Sequence, residues 1–348
     1  MDNQFSACPS THKNTPHRNK ASECSLLGKF QHVLPVGLCA GVWLGGHATG
    51  AAGTAFAQVS GDRSFGTLVN GALSERCLAS VCTIEGGVRN GSSTSLFHSF
   101  EEFSILSPDQ SVVFSTPTVN TPAIDNILVR VTGGSASLIN GLIRTGNGSE
   151  ANLFLVNPAG ISFGPTAQLD LGGSFLASTA QQLIFDNGAV IPTGEATSPT
   201  AELLSINLPI GLGFLSAPTS SSAAAPVSGS TVGQTSFGQT SAPIEVQGPG
   251  NFLTFGAPNT PSAFVNRVFQ PDSGLAVQAG ESIKLVGNGI ALSGGSLTAT
   301  GGDIELGSLS SGRVLFDADL KTNYAQVDEY ADITLAARSV LEASAASP

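Results

Sequence analysis

A chain of 348 residues with 11% charged and 6% aromatic side chains but 42 glycines is poor in helix formers, yet its 41% apolar content is too high for disorder. The formal charge is −11, and Lys13, Arg18, Lys20 and Lys29 precede position 58 with only Asp2 and Glu23 against them, so the remainder is more acidic still. Such a body gains nothing from counterion release or anionic headgroups, which excludes nucleic acid and anionic membrane surfaces as partners and leaves an all-β fold of short strands and tight turns.

The chain begins with a polar stretch from Met1 to about Lys29, then an uncharged apolar run from Val33 to Leu44, and closes the segment on Ala55-Phe56-Ala57. That small-x-small ending predicts a secretory signal peptide over residues 1–57 with a long basic front, and a mature start near Gln58. Pro35, His47 and the Gly/Ala-rich run leave too few strongly apolar residues for the roughly 20 that a spanning helix needs. Cys8, Cys24 and Cys39 fall in this leader, so Cys77 and Cys82 are the only mature pair. His98 is the only histidine beyond the leader, so a Cys/His zinc site cannot be assembled and no metal or cofactor is expected. The two sulfurs are read as a disulfide that fastens a local turn, worth about 2 kcal/mol for so small a loop.

Further on, short alternations mark half-buried strands at Ile127-Leu128-Val129-Arg130-Val131, Leu153-Phe154-Leu155-Val156 and Leu169-Asp170-Leu171, with turn residues between them. Residues 216–242 are dominated by Ser, Ala, Gly and Thr and read as a mobile surface insertion, since strand character resumes at Ile244-Glu245-Val246. The clearest order lies between Leu275 and Leu306. Triplets Ile283-Lys284-Leu285, Ile290-Ala291-Leu292, Leu297-Thr298-Ala299 and Ile304-Glu305-Leu306 each begin seven residues after the last, with glycines between. Three such strands occupy 21 residues, one turn of a three-sided parallel β-helix, so Ile283 should stack on Ile304 and Leu285 on Leu306. An antiparallel sandwich is the competing fold, but no hairpin signal stands at each return. A β-helical domain is placed at 58–320, and 321–348 is a short extension able to form a further coil or a truncated further region.

Asp125, Asp170, Asp186, Asp303, Asp317 and Asp319 are scattered, and only Asp317-Ala318-Asp319 would put two carboxylates on one strand face, read here as a solvated outer face. His98 beside Ser99 is no dyad, because neighbouring strand residues point to opposite faces. Gly-rich dipeptides lack the Lys-Ser/Thr ending of a phosphate loop.

Two stretches carry more than composition. The first is Ile84-Glu85-Gly86-Gly87, then Asn90-Gly91 and Ser95-Leu96-Phe97-His98-Ser99-Phe100-Glu101-Glu102-Phe103; the second is Asn152-Leu153-Phe154-Leu155-Val156-Asn157-Pro158-Ala159-Gly160-Ile161. They resemble the filamentous haemagglutinin amino-terminal domain, or two-partner-secretion domain, in its cyanobacterial style. The similarity continues through Arg130-Val131-Thr132-Gly133-Gly134, Gly172-Gly173-Ser174-Phe175 and Gly302-Asp303-Ile304, and the Cys77 and Cys82 pair also looks like that branch.

The resemblance implies a right-handed parallel β-helix with an amino-terminal cap. It also implies export by the general secretory machinery, then passage through an outer-membrane β-barrel transporter whose periplasmic domains recognise this module. The residues it singles out are Asn157, Pro158, Gly160 and Ile161, with Phe97, His98, Phe100 and Phe103, in a recognition role or as structural motif. Ala159 stands where the family usually has a second asparagine. The resulting expectation is a non-enzymatic secretion-directing domain of an adhesin-like exoprotein, whose surface ligand the residues do not name. The rival is a carbohydrate-active β-helix, a polysaccharide lyase or hydrolase.

Overall fold

The structure, a computed structural model, describes residues 57–344 apart from 74, 91–93, 117–121, 147, 199–208, 217–240, 251, 255–265, 269–273 and 318. The expected leader, Ala57 excepted, and nearly all of the expected insertion at 216–242 lie outside the described residues.

Alternating apolar residues produce short strands that stack in parallel on three faces. The first face carries Ser95–Ser104, Asn126–Val131, Asn152–Val156, Phe175–Ser178, Ile283–Gly287 and Ile304–Phe316. The second carries Ser137–Ile139, Ile161–Phe163, Ile244–Gln247, Ile290–Ser293 and Ile333–Ala336. The third runs through Val81–Gly86, Ser111–Phe114, Leu142–Thr145 and Gln168–Asp170, and continues in Leu275–Ala276, Ser296–Thr298 and Val340–Glu342. From Asn126 onward the chain visits the faces in this order again and again, which makes the fold a three-sided parallel β-helix.

Ile283 is in register with Ile304 and Leu285 with Leu306, as the seven-residue spacing predicts. Columns form because each coil places like above like. Ile127, Leu153, Phe175 and Ile283 share one register position and are buried in the interior. Each such side chain contributes about 1.5–3 kcal/mol by leaving water. The corner leading back to the first face needs Gly302, where an added Cβ would lie 2.0 Å from the Glu281 carbonyl oxygen of the coil below.

Coil lengths vary, however. Asn126 and Asn152 are separated by 26 residues, Asn152 and Ser174 by 22, Lys284 and Glu305 by 21, and Ser174 and Ser282 by 108. Within the long interval Gln182–Phe185 pairs antiparallel with Val190–Pro192 and Pro209–Phe214, and Pro209–Phe214 pairs with the far half of Ile304–Phe316. That half in turn pairs antiparallel with Thr322–Tyr330. This added sheet covers the outward column Phe97, Leu128, Phe154 and Leu176 with Phe185, Leu212, Phe214 and Phe316, forming a second core outside the helix.

The hairpin also corrects one expectation. Ile304–Phe316 ends before Asp317, whose Oδ1 accepts the backbone N–H groups of Asp319 at 3.0 Å and Lys321 at 2.8 Å. Asp317 and Asp319 therefore sit in a turn, not alternately on a strand face, because a short carboxylate offers nearby N–H groups a local partner.

At the amino-terminal end Gln58–Gly61 and Val88–Arg89 pair antiparallel with Ser95–Ser104, and Thr67–Val69 pairs antiparallel with Val81–Gly86. These strands cap the first coil and cover edges that would otherwise be open to pairing. Cys77 and Cys82 are bonded, S–S 2.06 Å and Cα–Cα 5.8 Å, and both lie in the interior core. Reducing this bond should lower unfolding stability by about 2 kcal/mol without unfolding the domain. Urea titrations with and without a thiol reductant measure that difference.

Candidate functional site

The Asn157 corner joins Asn152–Val156 on the first face to Ile161–Phe163 on the second. Asn157 Oδ1 accepts the Ala159 N–H at 2.9 Å and the Asn157 carbonyl accepts the Gly160 N–H at 3.0 Å, two bonds that together close the turn. Its Nδ2 donates to the Ser135 carbonyl at 2.9 Å and to Ser137 Oγ at 3.0 Å, tying the corner to the coil below. The Pro158 carbonyl accepts the Ala242 N–H at 2.9 Å from the coil above. Gly160 has φ +110°, a conformation that L side chains rarely adopt, and Ile161 enters the core. Asn157, Pro158, Gly160 and Ile161 are all buried; Ala159 alone is partly exposed.

The second motif lies on Ser95–Ser104 and divides between the two cores. Phe97 faces outward against Phe65 and Phe185, at centroid distances of 6.5 and 6.2 Å. His98 and Phe100 face the helix interior. A bulge at Glu101, between the pairs Gly61 with Phe100 and Ser60 with Glu102, shifts the parity by one residue. Phe103 consequently joins Phe100 inside, 5.2 Å away. The His98 ring sits 5.7 Å from Phe114, with Nδ1 3.4 Å from Thr67 Oγ1 and no partner at Nε2 among the described residues. Burial pushes its pKa down to about 3, so the imidazole is neutral.

Ser99 points the other way, into a polar cluster that sequence inspection missed. Arg130 is buried, and its five N–H donors meet five acceptors. Nε donates to Ser99 Oγ at 2.7 Å, Nη1 to the Pro192 carbonyl and Thr197 Oγ1, each at 3.1 Å, and Nη2 to Ser64 Oγ at 3.0 Å and to the Thr197 carbonyl. Ser99 and Ser64 pass their own hydroxyl protons on to Asp62, both at 2.6 Å, so two serines bridge guanidinium and carboxylate. Thr132 donates to the same carboxylate at 2.8 Å, and the Arg130 guanidinium lies 4.1 Å above the Phe65 ring.

Burial lowers the Arg130 pKa to about 10, with Asp62 acting against the shift, so it stays charged at neutral pH. For Asp62 burial alone would raise the pKa, but the bonds from Ser64, Ser99 and Thr132 outweigh it and hold the carboxyl below its ordinary value. The cluster fastens the cap loop at 62–65, two coils of the first face and the loop at 192–197 to one another. Its one sequence signal was a cation inside the apolar alternation Ile127-Leu128-Val129-Arg130-Val131.

Among the described residues no group of three or more His, Cys, Asp or Glu is placed to hold a metal ion. Asp170 lies 3.6 Å from Arg144 on the third face. Asp303 and Asp319, expected to remain apart, line one cavity together with Lys284 and Lys321.

The family described as TPS secretion domain matches residues 78–347, which hold most of this arrangement. The chain belongs to the TPS secretion domain family. As a TPS secretion domain it is the secretion-directing domain of a two-partner-secretion exoprotein. Among solved structures it is similar to the crystal structure of the HMW1 secretion domain from Haemophilus influenzae, at 15% identity and a TM-score of 0.40. That similarity covers 80% of this chain and 57% of the HMW1 chain, so the TPS secretion domain described here spans just over half of the latter's length. No curated protein matches it. Within the TPS secretion domain the Asn157 corner, the Phe97 to Phe103 strand and Arg130 lie inside the matched interval, while Asp62, Ser64 and Phe65 of the Arg130 cluster precede it.

Proposed function

We propose that this domain is recognised by the periplasmic domains of an outer-membrane β-barrel transporter, after the general secretory machinery has brought the chain across the inner membrane. The family match over residues 78–347 carries this reading. The leader expected at residues 1–57 fits the first step, and secreted or cell-surface residence of an adhesin-like exoprotein follows from the second. The match gives no support to a polysaccharide lyase or hydrolase.

The motif residues act in this reading through folding. Asn157 is fully buried with both ends of its amide engaged, so its contribution to export runs through the corner that it closes. Phe97, His98, Phe100 and Phe103 likewise act by packing.

Secretion in a diderm host, with and without the cognate transporter, tests the proposal. The intact chain should reach the medium or cell surface only when the transporter is present. Asn157→Ala should lose about 2 kcal/mol or more of stability, because buried groups that it satisfied lose their partner. Export should fall in proportion to the folded fraction measured by circular dichroism. Retention of the intact chain in the periplasm despite the transporter contradicts the recognition role. A fully folded Asn157→Ala chain that is not exported assigns the asparagine to direct recognition instead.

A further inference from the structure

We propose that the TPS secretion domain binds a short neutral oligosaccharide in the cleft between the outward face of its first sheet and the tip of the hairpin formed by Ile304–Phe316 and Thr322–Tyr330. The cleft has a volume of about 520 Å³, within the size range of small-molecule sites. It is lined by none of the residues of the Asn157 corner.

Its floor consists of two adjacent rows on successive coils. The polar row is Asn152, Ser174, Ser282 and Asp303, fixed by one bond per step. Ser174 N–H donates to Asn152 Oδ1 at 2.9 Å, Ser282 N–H to Ser174 Oγ at 2.9 Å, and Asp303 N–H to Ser282 Oγ at 3.1 Å. The second row is Phe154 and Leu176, apolar, and then Lys284.

The hairpin tip forms the wall, and it is built at a conformational cost. Leu320 has φ +59°, a region that a bulky side chain rarely enters. The turn is held by Asp317, which accepts the Asp319 and Lys321 N–H groups on Oδ1 and the Leu320 N–H on its carbonyl at 3.0 Å. As a result Asp319, Leu320 and Lys321 all line the cleft. Strained residues that a structure takes trouble to hold are concentrated at binding sites.

The charges select the ligand class. Lys284 pairs with Glu305 at 2.8 Å, and Glu305 is occupied further by the hydroxyls of Thr322 and Tyr324. Asp303, Asp319 and Lys321 show no side-chain hydrogen bond or ion pair among the described residues. Two carboxylates and two ammonium groups nearly balance, so a polyanion or a polycation gains little from entering. A hydroxyl group can donate to a carboxylate and accept from an ammonium group, and a sugar ring adds an apolar face for Leu320. The floor strands are paired on both sides, which leaves no free edge for a peptide to add to as a strand.

Isothermal titration of the exported chain with maltotriose, cellotriose and chitotriose tests the assignment, with trigalacturonate and a neutral Gly/Ser peptide as the charged and peptide comparisons. At least one neutral trisaccharide should saturate with Kd of about 1 mM or tighter. The Asp319→Ala, Lys321→Ala double variant and Asp303→Asn should each weaken it by about tenfold or more, while melting curves and transporter-dependent export stay unchanged. The assignment is overturned by the absence of saturable binding to all three neutral sugars, by binding that the variants leave intact, or by binding of trigalacturonate or the peptide alone.

Discussion

Arg130→Ala should lower the unfolding free energy of the exported chain by about 3–5 kcal/mol, the range for removing one partner of a buried charged cluster. The loss has two parts. Five satisfied bonds disappear from a buried side chain, and the half-buried Asp62 carboxylate loses the nearby guanidinium charge. Arg130→Lys should recover only part of this, because an ammonium group keeps the charge but cannot reach five acceptors in the directions of a planar fork. Urea midpoints at pH 7 give the comparison. If alanine costs less than 1 kcal/mol, the cluster does not hold the cap to the coils. Asp62→Asn should weaken the cap through the same two serines, and the double variant with Arg130→Ala should cost less than the two single variants added together.

Acid should unfold this domain in a window set mainly by His98. The folded His98 pKa is about 3, against 6.5 for an ordinary histidine. Below pH 6.5 the unfolded chain takes up a proton that the folded chain refuses, so stability is full above that value and falls as pH drops toward 3. The slope is about 1.4 kcal/mol per pH unit, or about 4 to 5 kcal/mol over the whole window. Asp62 and Glu305 act in the same sense at lower pH, since both carboxyls are held below their ordinary values when folded and lose that contribution once protonated. His98→Phe, which keeps an aromatic ring beside Phe100 and Phe114, should flatten the dependence between pH 6.5 and 4 whatever it does to stability at pH 7. An unchanged slope in the variant would assign the acid sensitivity to the carboxylates alone.

The parallel coil was legible in the chain because its unit is short and local. Within Ile283 to Leu306 a seven-residue spacing sets three strands per 21 residues, and the register of Ile283 with Ile304 follows without knowledge of any other segment. The Asn157 corner was legible for the same reason: Asn-Pro and a glycine three residues after the asparagine specify a turn within a few residues. The Asp317 and Asp319 expectation failed because alternation alone does not say where a strand stops, and Asp317 ends it by accepting N–H groups of the next residues.

Composition, the triplet spacing and the two motifs thus determined an all-β secretion domain, its coil and its cap. Only the tertiary structure decided that Phe97, Leu128, Phe154 and Leu176 lie under a second sheet, since the strands that cover them come from far along the chain. It alone also decided the Arg130 cluster, whose acceptors at Ser64 and Thr197 are 66 and 67 residues away. Local spacing reports contacts made within a coil or with the next one. A polar cluster assembled from a cap loop, two strands and a distant excursion leaves only a single cation in an apolar run, and its partners are fixed by packing.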